Sequence, residues 1–208
     1  LAEYQPPETL FTEALRAREF YRGERAVRCP GVGLVIPFEP CLWLELCVEE
    51  PALVGRYLDI QCERACRNAA LAGKLGLPYL FGGGDCATTQ GPMYSPQVFH
   101  ELMLPRQKRI SAACAAHGCK HLFGSDGNLW PLSGDLFGAS GVAGFYEVDR
   151  RAGMDLRKLR QCFPNLTLLG GVSSLTLHMG TKEQVIAEAR DALAAAKECG
   201  GILVGCSN

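Results

Sequence analysis

An α/β fold built on a parallel sheet follows from three features of this sequence. Short apolar β-like segments alternate with longer segments of helical periodicity. Such alternation implies crossover helices and therefore parallel strands. Polar residues stand at nearly every strand end, as in a (β/α)8 barrel, where those ends share one mouth. No Gly-x-Gly-x-x-Gly follows the first clear strand, which disfavours the rival open, doubly wound sheet. Five or six βα units are visible, so the sequence predicts an incomplete TIM barrel forming a single domain over residues 1–208.

Residues 1–25 read as a charged helical lead-in, and 26–37 as an extended segment broken by Pro30, Gly31 and Gly33. Pro51 suits a first helical turn, where its missing N–H is not needed. Leu53, Val54, Tyr57, Leu58, Cys62, Ala65, Ala69 and Ala72 then recur at helical spacing, until Gly76 and Pro78 stop the helix. Residues 77–81 form a strand ending in Gly82, Gly83, Gly84 and Asp85. Ser95 caps and Pro96 opens a long helix carrying Phe99, Leu102, Met103, Arg106, Ile110 and Ala113. Strands follow at 120–123, 142–148 and 166–169, with short helices at 129–137 and 155–162 between them. Thr181 and Gln184 make a capping box for a last helix, which Gly200 and Gly201 end before a final strand at 202–204.

Bulk properties narrow the function. The chain has 208 residues, 48% hydrophobic and 21% charged, with a net charge of -1. That is a globular composition without the basic footprint of a nucleic-acid or anionic-membrane binder. No apolar run approaches the roughly 18 residues that span a bilayer. The 11 cysteines are scattered through helices and strands, as buried thiols in a reducing compartment are, so a cytoplasmic location is expected. The chain opens at Leu1 and stops at Asn208 straight after a strand, so a piece of a longer protein is expected. Unpaired sheet edges would invite pairing with a second copy.

The candidate chemistry sits at strand ends. His121, Glu147 and Cys206 lie on three strands at one expected mouth. Imidazole, carboxylate and thiolate meeting there would make a catalytic zinc site with an open position. Asp85 and Asp126 follow strands and are the candidate catalytic acids, against the plainer reading of loop carboxylates bonding nearby N–H groups. Gly84, where the lack of a side chain admits a ligand, Tyr146 and Asn128 complete the expected substrate contacts. For Glu147 the plain reading is a pair with Arg150 or Arg151; Asp149 reads as structural.

From about residue 37 onward the chain resembles the uroporphyrinogen decarboxylase superfamily. The carrying stretches are Asp85 to Pro96, Leu104-Pro105, His121 to Asn128, Glu147 to Leu156, Leu169 to Val172, Gly180-Thr181, and Gly200 to Asn208. The resemblance implies a distorted (β/α)8 barrel with its first one or two βα units and its final helix missing from this chain. One branch of that superfamily transfers methyl groups between a corrinoid protein and a thiol. It uses zinc held by His-x-Cys on one strand, Glu on the next in some members, and Cys on the last. His121, Glu147 and Cys206 match those positions, and Phe123 departs from the first Cys. The expectation is thiolate activation on zinc, with methylcobalamin carried by a partner protein as donor. The alternatives are a decarboxylase of uroporphyrinogen or a related carboxylated substrate, and a metal-free binding or regulatory relative.

Overall fold

The computed structural model describes residues 4–207, so the first three residues of the lead-in and Asn208 lie outside the described residues. A short 3-10 turn (Glu8–Phe11) leads into α1 (Thr12–Phe20). Then follow β1 (Arg28–Pro30), α2 (Leu42–Glu49), α3 (Pro51–Lys74) and β2 (Tyr79–Gly83). Next are α4 (Leu104–Ala116), β3 (Lys120–Gly124), β4 (Gly144–Val148), α5 (Leu156–Cys162) and β5 (Thr167–Val172). The chain closes with α6 (Ser174–Met179), α7 (Lys182–Cys199) and β6 (Ile202–Cys206).

The six strands form one sheet in sequential order, β1 to β6, and every pairing is parallel. Sequential order is how a barrel winds; a doubly wound sheet reverses direction part-way. Among the described residues no pairing joins β6 to β1.

Strand alternation sorts the side chains into two layers. Cys29, Leu80, Phe123, Phe145 and Leu168 are essentially fully buried, in the core shared with the helices. Arg28, Tyr79, Lys120, Leu122, Thr167, Leu169 and Leu203 take the other parity and line a concave lumen. On α3, Val54, Leu58, Cys62, Ala65, Ala69 and Ala72 are buried at the expected spacing, whereas Leu53 is exposed. Of the cysteines, Cys62 and Cys114 are buried and Cys66 and Cys199 half-buried, and none of those described is disulfide-bonded.

The long helix opened by Ser95 and Pro96 is not uniformly α. Ser95 caps it, its Oγ accepting from Val98 N at 3.2 Å. A π-helical turn (Phe99–Met103) then precedes α4. Pro105 brings no N–H to the helix ladder, which frees a carbonyl nearby. In the same turn Arg106 Nη1 donates to Leu102 O at 2.7 Å. At the other end, Thr181 and Gln184 form both halves of the capping box that opens α7. Arg157 ties α5 to α7 through Asp191 (3.0 Å) and Glu198 (2.6 Å).

Candidate active site at the strand ends

Glu147 owes its position to a break in β4. The β4–β5 register shifts between Tyr146 and Val148, and Glu147 has φ of 75°. A bulge puts an extra residue on one strand, and left-handed φ on a non-glycine residue costs free energy that surrounding contacts must offset. Phe145 and Val148 face the helices, fully buried. Between them Tyr146 and Glu147 both turn toward the lumen. The Glu147 carboxylate lies over Gly124, with Oε2 3.5 Å from where a Cβ on that glycine would stand. Strict alternation would have sent Glu147 into the helix layer.

Beside it, Arg28, Phe81 and Tyr146 form a stack. The guanidinium sits 4.0 Å from the Tyr146 ring centroid and 4.6 Å from that of Phe81, and donates to Tyr146 Oη at 3.2 Å. Phe81 and Tyr146 meet edge to face at 5.4 Å. Such stacking holds the cation at modest cost in freedom.

Electrostatics single out the same carboxyl. Burial pushes Glu147 up to about 7, Asp126 and Asp85 push the same way, and Arg28 pulls it back. Burial is the largest cause for Asp126 too, with Asp85 and Asp149 adding repulsion; its own backbone amide opposes the rise. Neither Arg150 nor Arg151 is the partner of Glu147. Arg150 binds Asp191 at 3.1 Å and Gly171 O at 3.2 Å, and Arg151 donates to Thr176 Oγ1 at 3.4 Å. A half-buried carboxyl raised to about 7, beside other carboxyl groups, is suited to general acid–base work.

The other expected site residues divide. Asp85 and Asp126 stand in the same electrostatic cluster as Glu147. Asp149 is structural, its carboxylate accepting from Arg151 N at 2.9 Å and Ala152 N at 3.2 Å. Asn128 is committed to its own loop, accepting from Trp130 N at 3.1 Å and donating to Gln90 O at 3.4 Å. Gly84 was expected to leave room for a ligand. Instead, a side chain there would meet the Val35 side chain at 2.6 Å, and its neighbours Gly82 and Gly83 pack on the backbones of Val32 and Gly124. The glycines admit neighbouring chain. Tyr146 does face the lumen.

His121, Glu147 and Cys206 do not form the expected zinc triad. His121 has the parity of Phe123 and lies in the helix layer, 2% exposed, with Nδ1 2.9 Å from Ser111 Oγ on α4. The lumen-facing position at the end of β3 is Gly124. Cys206 shares the parity of Ile202 and Val204, which pack on the core; it is exposed, and its thiol donates to Ser207 O at 2.8 Å. Among the described residues no three His, Cys, Asp or Glu side chains are placed to hold a metal ion. These side chains do not fit a zinc ion, because the sheet sends the imidazole and the carboxylate to opposite faces. Sequence reasoning missed Arg28 and Phe81. The usable signal for Arg28 was its alternation with Cys29 in a short extended segment.

No protein-family model and no curated protein matches the chain. Among solved structures it is similar to a methyltransferase from Methanosarcina mazei, with a TM-score of 0.71 and 20% sequence identity. The match covers 100% of this chain and 63% of that one, so the chain spans less than two thirds of that protein's length. At that identity the likeness establishes a shared α/β fold. Among the described residues no helix is long and apolar enough to cross a membrane.

Proposed function

We propose that the chain carries the reacting face of a methyl-transfer enzyme, with Glu147 as the group that takes the proton from a protic acceptor. The observation that carries this reading is the left-handed Glu147, turned into the lumen within electrostatic reach of Arg28, Asp126 and Asp85. Likeness in fold to a methyltransferase supports the reaction class. A thiol acceptor has a pKa of about 8.5, close enough to a carboxyl near 7 for efficient proton transfer.

In the step, the Glu147 carboxylate accepts the thiol proton while the sulfur forms its bond to the methyl carbon. The bond from that carbon to the donor breaks, and its electron pair leaves with the donor. Methylcobalamin presented by a partner protein is the proposed donor and is consumed as a substrate. Arg28 holds Tyr146 and limits how far the acid cluster can raise the Glu147 pKa. Asp85 and Asp126 keep that pKa high.

The test is transfer from methylcobalamin to a panel of thiols, followed by mass spectrometry of the thioether. Glu147→Gln should lower the rate about 100-fold or more, the usual size of a lost general base. Full activity in that variant would refute the assignment. Protonated Glu147 could equally quench the carbanion left by loss of CO2. Release of CO2 from a carboxylated tetrapyrrole, without methyl transfer, would therefore favour the decarboxylase reading. Stoichiometric zinc that is lost in both His121→Ala and Cys206→Ala would restore the metal reading.

A further inference from the structure

We propose that the lower half of the lumen is a second binding site, one that takes an organic anion with an apolar body. It does not depend on the reaction proposed at the mouth. A cavity of about 580 Å³ opens at the N-terminal ends of the strands, the end opposite Glu147. Arg28, Tyr79 and Lys120 line it together with an apolar wall of Leu122, Leu169 and Leu203, and among the described residues no Asp or Glu lines it.

The sheet register explains why the two cations meet there. Arg28 pairs with Tyr79, and Tyr79 with Lys120, so the three form one lateral row across β1, β2 and β3. Two strand spacings set the cationic positions about 10 Å apart, with a phenol between them. Among the described residues neither cation forms an ion pair. Arg28 is instead fixed by the Phe81 and Tyr146 rings, which belong two residues further along their strands than Tyr79 and Gly144. That stack forms the floor of the acidic mouth and the roof of the basic cavity. On the edge strand β6, Leu203 is 58% exposed and lines the cavity. Two cations that form no ion pair among the described residues, beside apolar walls, favour a ligand that offers an anionic head and an apolar body.

Phenyl phosphate is a suitable probe, followed by amide chemical shifts at low ionic strength, with inorganic phosphate and phenol as the single-feature controls. Saturable shifts at Arg28, Lys120 and Leu203 are expected, with each control binding about tenfold more weakly. Lys120→Ala and Leu203→Asp should each weaken the probe about tenfold, while Lys182→Ala on α7 leaves it unchanged. Both altered residues are exposed, and thermal melting confirms that each variant is folded. Three results would overturn the proposal: no saturable binding, binding insensitive to both variants, or inorganic phosphate binding as tightly as the ester.

Discussion

His121 and Glu147 lie on neighbouring strands, at opposite ends and on opposite faces of the sheet, and respond to the same force in opposite directions. Loss of water disfavours charge on either group. It pulls the His121 imidazole down to about 4 and pushes the Glu147 carboxyl up to about 7. What separates them is access. The imidazole is sealed between sheet and α4, with Nδ1 on Ser111 and Nε2 buried without a hydrogen-bond partner. The carboxylate is half-buried at an opening, among other charges. A strongly shifted group is a functional candidate only where something can reach it; His121 is shifted and out of reach.

Activity should show the contrast most strongly. His121→Gln, checked for folding by circular dichroism, should keep the transfer rate within about threefold, against the 100-fold loss expected for Glu147→Gln. A large loss of rate in a folded His121 variant would erase the distinction between the two faces.

Stability against pH sharpens it next. The unfolded chain binds more protons at His121 than the native one between about 4 and 6.5, so that contribution is lost as pH falls through the window. Its full size is about 3 kcal/mol. Glu147 has the opposite sign. The native state holds the extra proton between about 4.5 and 7, so stability falls as pH rises through that range. Solvent screening reduces this contribution to about 1–2 kcal/mol. The two slopes offset each other over nearly the same window. Urea titrations from pH 4 to 8 should therefore show Glu147→Gln more acid-sensitive than the parent and more stable above pH 7. In His121→Leu the acid-side loss should disappear, leaving stability that declines as pH rises. Parallel curves for both variants and the parent would contradict both shifts.

Local signals were legible in the sequence. Pro51, the Ser95 cap, the Thr181–Gln184 box and the apolar rows of α3 each act within a turn or two, and each forms as its residues require. Strand positions were legible to within a few residues. Which face of a strand a side chain takes was not. One residue of register reverses every side chain, and an apolar strand such as Lys120–Gly124 gives no polar alternation to fix its phase. His121 was therefore assigned to the mouth when it belongs to the core. Glu147 does stand near the end of β4 facing the lumen, for a reason the sequence hides: a bulge that only pairing with β5 creates. Arg28 reaches Tyr146 across 118 residues of chain, a contact no local pattern encodes.

The most direct measurement is a carbon-detected NMR titration of the Glu147 side-chain carboxyl. A midpoint near 7 is expected, falling toward the ordinary carboxylate range when Asp126→Asn removes the neighbouring charge. A midpoint near 4.5, unmoved by that substitution, would mean that Glu147 faces water as an ordinary surface acid, too weak a base to take a proton from a thiol.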